Sequence, residues 1–272
     1  MAAAFEIDAV ASAAFAALGS GRQIAPFSTH LGSFSLDDAY RVTNAVRRLR
    51  EARGERVLGR KIGFTNRTIW AEYGVYDPVW GFLYDRTVRD LADIGDPFFL
   101  SGLAEPRIEP EIVFGLASAP DPDMDEATLL TCVDWVAHGF ELVQSIFPNW
   151  IFNAADTVAA FGLHGALLVG ERHPVAPLRV DWLDTLSDFT IDLYRDGARV
   201  DRGLASNLLG GPLTALRHLV NVLARDPANP PLAAGEIVTT GTLTRAFPVS
   251  PGETWRTRPD GIALDGIEIR FA

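Results

Sequence analysis

The sequence predicts an α+β fold in which strands outnumber helices. Short apolar segments typical of strands follow one another through most of the chain, and helical patterns interrupt them at irregular intervals. The chain lacks the regular alternation of strand and helix that a doubly wound parallel sheet requires. With 272 residues, 48% of them hydrophobic and 22% charged, it is long enough for one large globular domain with an appendage.

Residues 1–55 are predicted to form an N-terminal helical cap. An alanine-rich segment from Phe5 to Leu18 has apolar residues at helical spacing and ends at glycines. A second helix is expected after Ser35, where Asp38 completes a capping box, and it ends at Gly54. We expect this helical pair to pack on the rest of the chain and not to fold as a separate unit.

Residues 56–272 are predicted to carry the strands, because their apolar segments are short and have glycine or proline boundaries. The predicted strands are Val57–Gly63, Glu109–Leu116, Leu163–Val169, Phe189–Tyr194, Glu236–Thr240 and Ile262–Phe271. A helix is predicted from Thr214 to Ala224, because its large apolar residues share one face and a proline-rich segment follows it.

Charge, cysteine content and hydropathy exclude several classes of protein. The formal net charge of −11 argues against a broad nucleic-acid surface. The single cysteine, Cys132, excludes an internal disulfide and a cysteine-based zinc site. No apolar run is long enough to cross a bilayer, and the N-terminus carries acids where a secretory signal has basic residues. We therefore expect a cytoplasmic protein without nucleic-acid or membrane partners.

Three glutamates in apolar segments form the most informative pattern in the chain. Glu109 and Glu111 are two residues apart on a predicted strand, so their side chains point to the same face. Glu141 lies in a second apolar segment. Such carboxylates repel each other and cost desolvation, whereas Mg²⁺ or Mn²⁺ prefers oxygen ligands. The residues alone leave two interpretations open: a metal site, or a solvated strand face with an unrelated glutamate nearby.

A lysine and two histidines in apolar surroundings each have a structural and a functional interpretation. Lys61 lies between Gly59 and Gly63, where it is either an exposed lysine or a group for proton transfer. His138 and His164 are each either a hydrogen-bonded structural histidine or an acid/base group. Neither belongs to a hydrolytic triad of the nucleophile-elbow type, because Gly-x-Ser-x-Gly is absent from the chain.

Seven motifs in a fixed order resemble one known family. They are Gly59-Arg-Lys-Ile-Gly-Phe-Thr65, Gly74-Val75-x-x-Pro78-x-x-Gly81, Pro106-Arg-Ile-Glu109-Pro-Glu111-Ile, Phe140-Glu141-Leu-Val, Asp156-Thr-Val-Ala159, Leu209-Gly-Gly-Pro-Leu213 and Ala234-Gly-Glu-Ile-Val-Thr-Thr-Gly241. From about Ser35 onward the chain resembles the 2-keto-4-pentenoate hydratase and 4-oxalocrotonate decarboxylase family, within the fumarylacetoacetate hydrolase superfamily. These enzymes act late in the meta-cleavage degradation of aromatic compounds.

The resemblance implies a mixed β-roll core with flanking helices and a bound Mg²⁺ or Mn²⁺ ion. The implied metal ligands are Glu109, Glu111 and Glu141. Lys61 matches a lysine of the family's active site, and Arg107 matches a position that either contacts the substrate or supports the carboxylates. The implied contacts to the substrate carboxylate, in a segment that otherwise forms a turn, are Thr240, Gly241 and Thr242.

The sequence departs from the family pattern close to the implied site. Gln144 begins a Gln-Ser-Ile segment where the family commonly has Asp-Ser-Arg, so we expect a neutral contact to the substrate there. The segment 160–164 replaces a polar run by apolar residues and His164, and His138 is also unusual at its position. We expect a different or bulkier substrate and an acid/base step assisted by one histidine, His164 more than His138.

The function implied by the resemblance is a divalent-metal-dependent lyase that acts on a 2-oxo acid or its 2-hydroxy-dienoate tautomer. Chelation through the carboxylate and the C2 oxygen allows the metal to stabilise an enolate. Hydration of the 2-keto-4-pentenoate hydratase type is the first expectation. The alternatives are decarboxylation of the 4-oxalocrotonate type, carbon–carbon hydrolysis of an acylpyruvate-like substrate, and a non-catalytic partner subunit. The family also implies a homo-oligomer.

Overall fold

The computed structural model describes residues 6–272, so Phe5, the expected start of the first helix, lies outside the described residues. The helices are α1 (Ile7–Ala17), α2 (Leu36–Ala52), α3 (Trp70–Tyr73), α4 (Glu126–Leu129), α5 (Ala154–Ala159), α6 (Arg179–Ser187) and α7 (Pro212–Ala224). The strands are β1 (Val57–Gly63), β2 (Val79–Tyr84), β3 (Val88–Asp90), β4 (Arg107–Leu116), β5 (Val133–Val143), β6 (His164–Pro174), β7 (Thr190–Arg195), β8 (Ala198–Leu204), β9 (Ile237–Thr242), β10 (Phe247–Pro248), β11 (Thr254–Asp260) and β12 (Glu268–Arg270). Within residues 6–272, no helix combines the length and the apolar character needed to span a bilayer.

Two sheets organise the strands. In the larger sheet the order of hydrogen-bonded strands is β2-β1-β9-β4-β5-β6-β3, and β10 also pairs with β4. Most neighbours are antiparallel, but β1 pairs with β9 and β3 with β6 in parallel. The smaller sheet has the order β12-β11-β7-β8. A mixed sheet with flanking helices confirms the predicted α+β class.

Strands β4 and β5 lie at the centre of the larger sheet and have different surroundings on their two faces. On one face, Ile108 and Phe140 pack together with Trp255 of the smaller sheet. On the other face, Val113 packs with Leu167. Since side chains alternate between the faces of a strand, the glutamates of these strands share the face of Val113.

The N-terminal helices share a hydrophobic core with the sheet. Helix α2 begins at the predicted capping box. Val10 of α1 and Val42 of α2 belong to the same buried cluster as Val143 at the end of β5. The helical pair is therefore packed on the strands that carry the glutamates, as expected, and the domain boundary after residue 55 stays a prediction.

A buried arginine joins α2 to the sheet. Nη1 of Arg50 donates to Oε2 of Glu55 over 2.9 Å, and both side chains are enclosed. The guanidinium carbon lies 4.0 Å from the ring centroid of Tyr84 on β2. Arg53 pairs with the other oxygen, Oε1, of Glu55, so without Arg50 the buried Oε2 would lose its partner. The contact therefore contributes to the docking of the cap.

One predicted strand was mostly wrong, and strands β2, β3, β5, β8, β10 and β11 were not predicted. Of the predicted strand Ile262–Phe271, only Glu268–Arg270 is extended, and the neighbouring strand β11 was not predicted. Of the buried positions of β11, Trp255 is apolar but Thr257 is polar, so the alternation of residues is weak. Strand β2 was missed because all its residues are buried, and alternation disappears when both faces of a strand are covered.

We predict that Arg50→Ala lowers the free energy of unfolding by about 3 kcal/mol, because Oε2 of Glu55 loses its buried partner and Tyr84 loses the stacked guanidinium, while Arg53 still pairs with Oε1. The matched control is Arg41→Ala on the same helix. Arg41 is 67% exposed and pairs with Asp38, so its loss should cost less than about 1 kcal/mol. Urea unfolding followed by circular dichroism measures both changes. Equal losses in the two variants would contradict a special contribution of the buried pair.

Candidate functional site

Strand pairing brings the three predicted glutamates together. Glu109 and Glu141 face each other directly across the antiparallel pair β4–β5, and Glu111 follows Glu109 on the same face of β4. Ligand oxygens of the three carboxylates lie within 4.8 Å of one another. Glu109 is 9% exposed, and Glu111 and Glu141 are 0% exposed. The interpretation as a solvated strand face is therefore excluded.

Lys61, the only lysine in the sequence, lies beside the carboxylates. It comes from β1, which β9 connects to β4 in the sheet, and its Nζ is 2.9 Å from Oε2 of Glu141. Burial by itself lowers the pKa of Lys61, but the charges of Glu141, Glu109 and Glu111 together raise that pKa above its ordinary value. The side chain is therefore an ammonium ion.

The carboxylates carry more negative charge than the lysine neutralises. Burial raises the pKa of Glu109 to about 7, although Lys61 opposes this shift. Burial and the charge of Glu141 raise the pKa of Glu111 well above its ordinary value. Burial also acts on Glu141, but Lys61 and His164 hold its pKa at about 2. The cluster therefore binds protons at neutral pH when no further cation compensates it.

Two observations show that the cluster fits a divalent cation. Oε1 of Glu111 is buried and has no hydrogen-bond partner among the described residues, a condition that costs free energy. The ligand set consists of carboxylate oxygens, which hard cations such as Mg²⁺ and Mn²⁺ prefer. The residues present therefore suit Mg²⁺ or Mn²⁺.

Gly241 allows β9 to approach the metal-binding strand closely. Its N–H donates to Oε2 of Glu111 over 3.0 Å. It has a φ of +91°, and a Cβ at this position would lie 2.0 Å from Oγ1 of Thr65. The predicted turn is therefore a distorted part of strand β9, in a conformation that favours glycine.

The two threonines that flank Gly241 hydrogen-bond to the backbone. The hydroxyl of Thr240 donates to the carbonyl of Ile112 over 3.0 Å, and that of Thr242 donates to the carbonyl of Thr244 over 3.0 Å. Of the predicted contacts to the substrate carboxylate, Thr242 lines a cavity next to the cluster. Thr240 is fully buried and does not line this cavity.

The lining of this cavity is partly polar and partly apolar. Lys61, Glu109 and Thr242 form its polar lining. Its other large side chains are Phe64, Ile69, Tyr73, Val143, Trp150 and Leu163. The cavity thus combines groups of the carboxylate cluster with an apolar and aromatic wall.

Arg107 supports the aromatic side of the cavity. Its Nη1 donates to the hydroxyl of Tyr73 over 2.6 Å, and its guanidinium carbon lies 4.2 Å from a ring centroid of Trp150. Glu72 is its ion-pair partner at 3.8 Å. Arg107 shares the face of β4 with Glu109, but its contacts are to the aromatic wall.

His164 contacts the carboxylate cluster without lining the cavity. Its Nδ1 lies 2.8 Å from Oε1 of Glu141, and its Nε2 lies 2.8 Å from Oγ1 of Thr87. Burial lowers the pKa of His164, and the hydrogen bond and charge of Glu141 act against this shift. The structure brings this predicted residue to the carboxylates, although it is not part of the cavity lining.

His138 and Gln144 are not brought to the cavity. Nδ1 of His138 lies 3.0 Å from the backbone oxygen of Glu111, its Nε2 lies 2.9 Å from Oγ1 of Thr257, and burial lowers its pKa to about 4. Gln144 accepts from the N–H of Ala104 over 3.1 Å and is buried. Both side chains serve packing between elements, and the expected roles in catalysis and substrate binding receive no support from their positions.

Three residues near the site were not predicted from the sequence: Thr87, Tyr73 and Trp150. Thr87 reaches His164 because β3 pairs with the distant strand β6, which no local pattern indicates. Tyr73 and Trp150 had one available signal, since both lie in segments in which aromatic residues cluster.

Comparison with known proteins identifies relatives along the whole chain. No family model matches the sequence. A 2-hydroxyhexa-2,4-dienoate hydratase of Comamonas testosteroni is 31% identical over 257 residues, which are 94% of this chain and 94% of that protein. A 2-keto-4-pentenoate hydratase of Paraburkholderia xenovorans is 32% identical over 256 residues, 93% of this chain and 90% of that protein.

Solved structures agree with these relatives. The 4-oxalocrotonate decarboxylase from Pseudomonas putida G7, complexed with magnesium and adipate, has a TM-score of 0.87 and 26% identity, covering 98% of this chain and 97% of that chain. A fumarylacetoacetate hydrolase family protein of yeast shares the fold alone, with a TM-score of 0.54 and 14% identity over 78% of this chain and 91% of that chain. The chain thus belongs to the 2-keto-4-pentenoate hydratase and 4-oxalocrotonate decarboxylase family, and it shares its fold with fumarylacetoacetate hydrolase family proteins.

Proposed function

We propose that this chain is a divalent-metal-dependent lyase that hydrates a 2-hydroxy-dienoate, the tautomer of a 2-oxo acid. The observation that carries the proposal is a buried cluster of three carboxylates that contacts Lys61. Lys61 and Glu109 also belong to the polar lining of a cavity. Relatives named as hydratases, at 31% and 32% identity over most of the chain, support hydration as the reaction.

Glu109, Glu111 and Glu141 would hold Mg²⁺ or Mn²⁺ through their carboxylate oxygens. An ion bound there supplies positive charge that stabilises negative charge on the carboxylate and C2 oxygen of the substrate. The structurally similar decarboxylase was solved with magnesium, which supports this choice of ion. The anionic substrate thereby binds next to three carboxylates without net repulsion.

Lys61 is the proposed proton donor. Its ammonium group contacts Glu141 and also lines the cavity, so it reaches both the cluster and a bound substrate. It can protonate a carbon of the dienoate or pair with the substrate carboxylate. Thr242 is the threonine of the predicted contact segment that lines the cavity, so it is the proposed polar contact to the substrate. Gly241 acts indirectly, because its N–H is already bonded to Glu111.

Decarboxylation of the 4-oxalocrotonate type is the second candidate. The observation that favours it is the TM-score of 0.87 to the Pseudomonas putida G7 decarboxylase. The products separate the reactions, because hydration retains all carbon, decarboxylation releases CO₂, and carbon–carbon hydrolysis yields two smaller acids.

We also infer a homo-oligomer in the cytoplasm, which the family resemblance and the single buried thiol of Cys132 support.

We predict that Mg²⁺ or Mn²⁺ raises the melting temperature of metal-stripped protein, and that oxalate raises it further only when metal is present. A ligand that binds only the folded state stabilises it by mass action. Glu111→Gln should abolish most of the shift. The control is Glu171→Gln, an exposed carboxylate of the same sheet, which should leave the shift unchanged. A protein that responds to neither metal would exclude the cluster as a metal centre.

We predict that metal binding releases protons near neutral pH. Without metal, the raised pKa values of Glu109, about 7, and of Glu111 keep protons on the cluster, and a cation must displace them. Affinity for Mn²⁺ should therefore rise with pH through about 7. By the same linkage, the contribution of Glu109 and Glu111 to the stability of the metal-free protein is fully present below the ordinary glutamate pKa and is lost as pH rises through about 7, whereas Glu141, whose pKa is lowered, contributes in the opposite direction in acid. Calorimetry in two buffers with different ionisation enthalpies measures the proton count, and a count of zero at pH 6 would contradict the assignment.

We predict that Lys61→Met reduces turnover of a 2-hydroxy-dienoate by about 10²-fold or more, because the proton donor is lost. The loss of ultraviolet absorbance of the dienoate measures turnover. Turnover is measured at saturating Mn²⁺, and calorimetry serves as the control that the variant still binds the metal. Unchanged turnover would remove Lys61 from the mechanism, and CO₂ release by the unsubstituted protein would favour the second candidate.

A further inference from the structure

We propose that His164 and Thr87 form a positioning pair that fixes the carboxylate of Glu141 for metal binding. The inference rests on the proposed function, because it assigns these two residues a task toward the proposed metal. It gives His164 a role that differs from the expected acid/base role. It also gives a role to Thr87, which no sequence pattern had indicated.

A chain of hydrogen bonds connects Glu141 through His164 to Thr87. Nδ1 of His164 lies 2.8 Å from Oε1 of Glu141. A carboxylate only accepts hydrogen bonds, so Nδ1 is the donor. In the neutral ring Nε2 is then an acceptor, and it lies 2.8 Å from the hydroxyl of Thr87, which donates to it. The two contacts fix the tautomer and the orientation of the imidazole ring.

A β-bulge turns His164 toward the carboxylates. The pairing of β5 with β6 shifts register between Leu142 and Val143, so that Val143 is opposite His164 and not opposite Gly165. Because side chains alternate along a strand, uninterrupted pairing would direct His164 to the other face. A Cβ at Gly165 would lie 2.6 Å from the carbonyl oxygen of Leu142, so this close approach requires glycine.

Thr87 is itself held firmly by its main chain. Its N–H donates to the carbonyl of Tyr84 over 2.9 Å, and its carbonyl accepts from the N–H of Leu167 over 2.8 Å. Its hydroxyl also lies 3.1 Å from the carbonyl of Tyr84, a longer contact than the one to His164. The position of the hydroxyl is therefore set by the backbone of two paired segments and does not depend on the histidine.

His164, held by Thr87, and Lys61 together fix the carboxylate of Glu141, one of the proposed metal ligands. Oε1 of Glu141 is held by His164 and Oε2 lies 2.9 Å from Nζ of Lys61, so the carboxylate is fixed at both oxygens. Partners that orient a ligand typically contribute about 10-fold to 100-fold to metal affinity. A direct acid/base role does not suit His164, because both of its ring nitrogens are engaged and the cavity is lined instead by Lys61, Glu109 and Thr242.

Mn²⁺ affinity of the metal-stripped protein tests the pair, with calorimetry as the readout. His164→Leu should weaken binding about 10-fold to 100-fold, whereas His164→Asn should recover most of the affinity, since its amide places a donor near the position of Nδ1. Thr87→Val should weaken binding by a smaller factor, and Thr87→Ser should match the unsubstituted protein. In each variant, excess Mn²⁺ should recover turnover that is lost at limiting Mn²⁺, because a positioning role toward the metal is overcome by excess metal.

The control is Thr257→Val, which removes a hydroxyl from the other histidine–threonine contact, 2.9 Å from Nε2 of His138. It should lower the melting temperature and leave Mn²⁺ affinity unchanged.

If His164→Leu does not fold, the comparison of Thr87→Val with Thr87→Ser decides whether the pair contributes to Mn²⁺ affinity. Mn²⁺ affinity that is unchanged in His164→Leu and Thr87→Val would overturn the pair. Turnover lost at saturating Mn²⁺ and not rescued by asparagine would assign His164 to acid/base catalysis. Absence of Mn²⁺ binding by the unsubstituted protein would overturn the proposed function itself.

Discussion

The burial of three carboxylates on neighbouring strands is the constraint on which the rest of the site depends. Removing an ion from water costs several kcal/mol unless opposite charge and hydrogen bonds offset it. Here the compensation comes from three further strands: the ammonium group of Lys61 on β1, the imidazole of His164 on β6 and the N–H of Gly241 on β9. The positions of β1, β9 and β6 relative to β4 and β5 therefore determine which compensating groups reach the cluster.

The parts of this arrangement that depend on local spacing could be predicted from the sequence. Glu109 and Glu111 share a face because they are two residues apart, and the same rule separates His138 from Glu141, which are three apart on β5. The sequence is thus sufficient to predict that His138 and Glu141 point to opposite faces. The assignment of Glu141 and Lys61 to the same site required the family resemblance, since nothing local connects β5 to β1.

The remaining features depend on long-range register and could not be predicted. The bulge at Gly165 reverses the face to which His164 points, and its presence follows from the pairing of whole strands. The aromatic wall is formed by Tyr73 of α3 and Trp150 of the segment between β5 and α5, and Arg107 contacts both. The cap adds a further long-range dependence, because Val143 and Leu163 line the cavity and also belong to the core that the N-terminal helices bury.

The presence of a single lysine makes this buried site spectroscopically addressable. Apart from the histidines, every other basic side chain in the sequence is arginine, so Lys61 carries the one side-chain amine. Lysine labelled with ¹³C at Cε, supplied during expression, would yield one side-chain resonance from the whole protein. Its chemical shift would report the charge of the ammonium group, and a bound Mn²⁺ ion would broaden it. One resonance would thus follow proton and metal at the same position in an otherwise unlabelled molecule.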